Sequence, residues 1–80
     1  MNSKPFKTHN QQITVLRQRG LEVPTRSKRS LEQIGYYALV NGYKWSFLKR
    51  DSSGHVVHPE HFIAGATFDE IRSLYDFDTE

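Results

Sequence analysis

Residues 34–47 read IGYYALVNGYKWSF and hold three of the chain's four tyrosines, its one tryptophan and one of its five phenylalanines. This run constrains the fold more than any other stretch, because so much aromatic surface requires another surface to cover it. The chain has 80 residues, of which 36% are hydrophobic. That is one small domain at most, near the size at which a single core stabilises only marginally. Cysteine is absent, which excludes disulfide staples and thiolate zinc sites and fits a reducing compartment.

Three helical segments are readable around the aromatic run. Thr8 and Gln11 form a capping box, Ile13 and Leu16 share a face, and Gly20 suits the position just past a helix end. Arg17 and Arg19 complement the dipole in the last turn. This spacing predicts a helix over 9–19. A second helix, about 28–41, starts at Ser27 or Ser30, with Gln33 completing a box from Ser30. Leu31, Ile34 and Ala38 then recur at helical spacing. Asn41-Gly42 reads either as the cap of this helix or as a hairpin turn between ALV and YKW, and the helical spacing favours the cap. The third helix, 67–78, opens with a Thr67–Glu70 box and Asp69 in its first turn, and Ile71, Leu74 and Tyr75 make its apolar face. DSSG at 51–54 is a turn signal; pairing of WSFL with HVV across it, as a short β-hairpin around 44–58, is the expectation for this stretch. Pro59 prevents a continuous strand or helix beyond it. The expected class is mainly α.

Continued through residue 48, the second helix would be apolar on two sides. At about 100° per residue, Leu31, Ile34, Ala38, Trp45 and Leu48 face one way, and Tyr36, Val40, Tyr43 and Phe47 the other. Gly35 and Gly42 flank the first stripe and permit close approach of another helix. A helix apolar on both sides is normally buried between neighbours. If it ends at Gly42, the later aromatics fall on a strand or loop. Either way the aromatic surface exceeds what two other short helices easily cover. The sequence reads as part of a larger fold or as a surface for a partner.

Charge offers a second reading. The net charge is only +2, too small to identify nucleic acid as a partner. The distribution is lopsided: residues 1–50 carry ten of eleven bases and two acids, while 51–80 carry seven acids and one base. The two parts attract each other, or the basic part faces a phosphate backbone. Lys28, Arg29, Lys44, Lys49 and Arg50 among the aromatics are the nucleic-acid candidates, since stacking platforms combine these residue types. Core is nevertheless the commoner fate of such aromatics.

Two constellations carry chemistry in principle. His55, His58 and His61 recur every third residue beside Glu60. Pro59 blocks a helix there and a strand would split them, so only a loop can gather them around a metal; the alternative is a polar histidine-rich loop. Arg50 and His55 have the R-x4-H spacing of HEPN-type ribonucleases, but they span a turn where that motif projects from a helix. No hydrolase triad or glycine-rich phosphate loop is present, and Asp69, Glu70, Asp76, Asp78 and Glu80 read as a solvated helix face. No cofactor is expected. No apolar run approaches the roughly 20 residues of a membrane span, and the first residues lack the apolar core of a signal peptide. The expectation is a soluble cytoplasmic protein.

The order of these segments resembles the N-terminal portion of the Abi family, the AbiD/AbiF type of abortive-infection phage-resistance proteins. The matching pieces are KPFKTHNQQITVLRQRGL, LEQIGYYALVNGYKWSF and FIAGATFDEIRSLYDFD. The second carries Ile34, Gly35, Tyr36, Tyr37 and Leu39, followed by Gly42, Tyr43, Trp45 and Phe47. The third carries Gly65, Thr67, Phe68, Leu74, Tyr75, Phe77 and Asp78. The resemblance implies a helical fold related to HEPN domains and a toxin-like role during phage infection. It also implies that the family's catalytic R-x4-6-H motif comes after the Y-x-F-D segment, on helices that meet in a dimer. No catalytic residue is then expected within 1–80, which is either a single small domain or the N-terminal part of a longer protein. The expected role is non-catalytic: packing against or recruiting a partner domain, or self-association through the aromatic surface. A small nucleic-acid-binding module, with RNA as a ligand, and a ribonuclease using Arg50 and His55 are the alternatives.

Overall fold

The computed structural model describes residues 8–79. Residues 4–7 of the opening segment and Glu80 lie outside the described residues. Helix α1 spans His9–Gln18, as the local signals predict. Thr8 Oγ1 accepts the Gln11 N–H at 3.1 Å, and Gln11 Oε1 accepts the Thr8 N–H at 2.8 Å. At the other end Gly20 takes φ 95°. Its N–H bonds to Arg17 O and that of Leu21 to Leu16 O, both at 3.0 Å. These two bonds are those of a Schellman cap.

Helix α2 spans Ser27–Ile34. Neither serine caps it. The N–H groups of Ser27, Lys28 and Arg29 bond to the carbonyls of Pro24, Thr25 and Arg26, so backbone groups of the entering turn replace a side-chain cap. Ser30 Oγ instead accepts from Arg72 Nη1 at 2.6 Å, tying α2 to the last helix.

The single helix expected over 28–41 does not form. Gly35 breaks it with φ 97° and ψ 149°, a backbone region open essentially to glycine alone. The chain then re-enters as a π-helical turn, Tyr37–Asn41, and a 3₁₀ turn, Trp45–Phe47. Gly42 sits at φ −73° and ψ −30°, ordinary right-handed helical geometry, so it is neither a left-handed cap nor a hairpin turn. The two opposite faces of a long helix vanish with it. Ala38 of the supposed stripe is exposed, while Leu39 and Val40 of the π turn are both fully buried.

The β-hairpin is likewise reduced. Leu48 bridges Phe62 and Arg50 bridges Val56, both antiparallel and isolated. WSFL does not pair with HVV, because WSF winds into the 3₁₀ turn and Leu48 reaches past HVV to Phe62. Pro59, with no N–H to donate, lies in the bulge between the two bridges. Asp51 Oδ1 accepts from the Ser53 and His55 N–H groups at 2.9 and 3.0 Å, an Asx-type turn as DSSG predicts.

Helix α3 spans Phe68–Thr79. Its start again obeys local chemistry: Glu70 N–H donates to Thr67 Oγ1 at 3.2 Å, and Thr67 N–H to Glu70 Oε1 at 3.0 Å. The loop after α1 runs parallel to the entry of α3, with Glu22 bridging Thr67. Every helical segment except the 3₁₀ turn supplies the core: Leu16, Leu31, Leu39, Val40, Phe68 and Ile71 are at most 1% exposed. Each such side chain contributes about 1.5–3 kcal/mol relative to an exposed one. The two halves of the charge distribution do meet, in the Arg26–Asp69 pair at 2.6 Å, which is too exposed to add much stability.

Candidate functional site

The break at Gly35 decides where the aromatic run goes. Tyr43 leaves the end of the π-turn region and reaches α3. Its ring meets Tyr75 edge-on at 5.8 Å, and its hydroxyl donates to Asp78 Oδ2 at 2.7 Å. Because ionisation would sacrifice that hydrogen bond beside a carboxylate, the Tyr43 phenol is held above its ordinary range. Gly65 takes φ 83° in the turn before α3, and Phe68 anchors the helix in the core. The aromatic segment and the Y-x-F-D segment thus form one contact surface.

A second cluster gathers around Lys44, the residue after Tyr43. Lys44 is 8% exposed and pairs with Glu60 Oε1 at 2.7 Å, with Arg19 Nη1 3.8 Å from the same oxygen. Lys44 Nζ also lies 5.1 Å from the centre of the Trp45 ring, a cation–π arrangement. Tyr36 shares this environment. Burial raises its hydroxyl above the ordinary range; Arg19 opposes that shift, and Glu60 adds to it. Glu60 draws no notice in the sequence beyond its histidine neighbours. No local signal announces its role, since its partner stands 16 residues away.

The candidate residues of the sequence are placed as follows. Lys44, one of the nucleic-acid candidates, is buried and paired with Glu60. Arg50 donates to Trp45 O at 2.9 Å and to Gly54 O at 3.2 Å, holding the turn together, while the His55 side chain is 82% exposed. His58 and His61 are exposed too, and among the described residues no three His, Asp or Glu side chains gather as a metal would require. Lys28 is half-buried at the start of α2, and Arg29 and Lys49 are exposed.

Several family-motif residues point outward. Tyr37 is 82% exposed, Phe77 81%, Trp45 49% and Leu74 38%. Leu74, expected on the inner face of α3, is therefore only partly covered. Ile34, Tyr36, Tyr43, Phe47 and Tyr75 are half-buried against the core.

This is a small, mainly helical protein in which a glycine-broken aromatic segment is tied to a closing helix, leaving bulky side chains on the outside. A sequence model of the Abi-like protein family matches residues 29–80, and the chain belongs to that family. The match begins inside the first turn of α2, runs through α3 and leaves α1 outside it. Membership connects the chain in general terms with abortive infection, a form of phage defence. No curated protein and no solved structure matches it significantly. Among the described residues no helix is long and apolar enough to cross a membrane.

Proposed function

We infer that this chain serves abortive infection as a non-catalytic N-terminal segment that packs against or recruits a partner domain. The single observation that carries this is the exposure of Tyr37 and Phe77, 82% and 81%, within the stretch that defines the family. Isolated apolar residues on a surface need no explanation. Here, however, Trp45 and Leu74 of the same two segments are also incompletely covered, while the interior is filled by aliphatic residues with Phe62 and Phe68. These aromatics are therefore spare to the core and suited to a neighbour. The HEPN-type helices implied by the resemblance to AbiD/AbiF proteins are the natural occupant, and a second copy of the chain is the alternative.

Sedimentation velocity combined with thermal unfolding over a hundredfold range of concentration tests this reading. The expected result is self-association or a transition that rises with concentration, reduced by Tyr37→Ser with Phe77→Ser. A monomer with a cooperative, concentration-independent transition that these substitutions leave unchanged would overturn it.

A further inference from the structure

A cleft of about 210 Å³ opens between α1 and the start of α2, lined by Asn10, Ile13, Thr14, Arg17, Thr25 and Lys28. None of these residues lies in the family-matched stretch 29–80, and none is among the exposed aromatics. The lining contains two cations and no carboxylate. Arg19, Arg26, Lys44 and Arg72 each face a carboxylate, whereas Arg17 and Lys28 form no ion pair among the described residues.

Arg17 is also held in place. Its Nε and Nη2 donate to Val23 O at 3.0 and 2.6 Å. A carbonyl orients the guanidinium without cancelling its charge, so Nη1 and the remaining Nη2 proton are left for a ligand. Thr14 Oγ1 donates to Asn10 O at 3.0 Å, which leaves the Thr25 hydroxyl and the Asn10 amide as the neutral donors of the lining. Ile13, 5% exposed, forms the apolar floor. The volume lies below the roughly 300–1,000 Å³ of pockets that enclose whole drug-sized ligands. It suits one anionic group of a larger molecule. An oriented guanidinium with a nearby ammonium matches the charge and the several acceptor oxygens of phosphate.

We propose that the α1–α2 cleft binds a phosphate group between Arg17 and Lys28. The phosphate comes from a nucleic-acid backbone or from a free phosphate or mononucleotide. This goes beyond the packing role and does not depend on it.

The test is a titration of the isotopically labelled full chain, monitored by amide and arginine side-chain NMR at low salt. The probes are inorganic phosphate, adenosine monophosphate and a ten-nucleotide single-stranded RNA. Saturable shifts at Arg17, Thr25 and Lys28, with the 50–56 turn unmoved, are expected for at least one probe. Lys28→Gln then weakens binding about tenfold or more, as loss of a charge-assisted contact does, while Lys49→Gln, outside the cleft, leaves it unchanged. Tighter, steeply salt-dependent binding of the RNA assigns the site to a backbone, and similar binding of all three assigns it to the free group. Both results support the proposal. Absence of cleft shifts with every probe, or equal weakening by Lys28→Gln and Lys49→Gln, overturns it. Lys28 lies on a half-buried first turn and makes no ion pair among the described residues, so its replacement leaves the fold intact, and the spectrum of the variant verifies this.

Discussion

Tyr43 donates its hydroxyl proton to Asp78 Oδ2 at 2.7 Å, across 35 residues of sequence. This contact joins the two segments that carry the family character, and it reports on whether the aromatic run is docked on α3. The phenols of both Tyr43 and Tyr36 are raised from the ordinary value of 10.0, Tyr43 chiefly by its bond to Asp78 and Tyr36 chiefly by burial. Above that value the unfolded chain releases these protons while the folded chain retains them. The contribution to stability is therefore complete below about pH 10 and is lost as pH rises through the folded-state values. Thermal unfolding between pH 8 and pH 11 should show an alkaline decline that is shallower in Tyr43→Phe and Tyr36→Phe. An identical decline in the variants would contradict the assignment.

The two glycines of the aromatic run should respond in opposite ways to alanine. At Gly35, φ 97° makes any side chain costly although a Cβ would meet nothing within 4 Å. Gly35→Ala should destabilise by about 1–3 kcal/mol through backbone strain alone. At Gly42 the geometry is helical and a Cβ would lie 3.7 Å from Tyr37 O, an ordinary contact. Gly42→Ala should be neutral or stabilise by up to about 1 kcal/mol. Urea denaturation of the two variants measures both. A Gly42→Ala penalty as large as that at Gly35 would restore the hairpin-turn or left-handed-cap reading.

Lys44 and Glu60 should prove strongly coupled. Glu60→Gln leaves the buried ammonium without its anion and should cost an amount at the lower end of about 3–5 kcal/mol, since both side chains retain some contact with water. Lys44→Met should cost less, because Arg19 remains 3.8 Å from Glu60. The double variant should be more stable than the sum of the single effects implies. A double-mutant cycle by chemical denaturation measures this, and additive effects would show that the pair is not coupled.

Arg50 and His55 should separate into a structural and a neutral residue. Arg50→Ala removes the contacts to Trp45 O and Gly54 O and should raise hydrogen exchange in the 50–55 turn. His55→Ala should change neither stability nor the fate of added RNA. Loss of an RNA-cleaving activity in His55→Ala would instead assign that pair a catalytic role.

Helix ends were the most legible part of this chain. The Thr8–Gln11 and Thr67–Glu70 boxes and the Gly20 cap act over three to five residues, so α1 and α3 lie close to their expected bounds. The start of α2 was less legible, because backbone carbonyls of the Pro24–Arg26 turn serve where Ser27 or Ser30 was expected. The aromatic run was recognisable as family sequence and as more surface than the domain covers, yet its path was not. Glycine is tolerated in a helix as well as in a break, and nothing local distinguishes the two at Gly35.

The sequence by itself determined a small cysteine-free helical chain, the local start and stop of its first and last helices, and its Abi-like character. Only the tertiary structure decided that the middle helix breaks, that Tyr43 turns to Asp78, and that Lys44 is buried against Glu60. The physical reason is range. Capping boxes and Schellman bonds close within one turn of chain. The fates of Gly35, Tyr43 and Lys44 are set by partners brought together only when Leu39, Val40, Phe68 and Ile71 pack into one core.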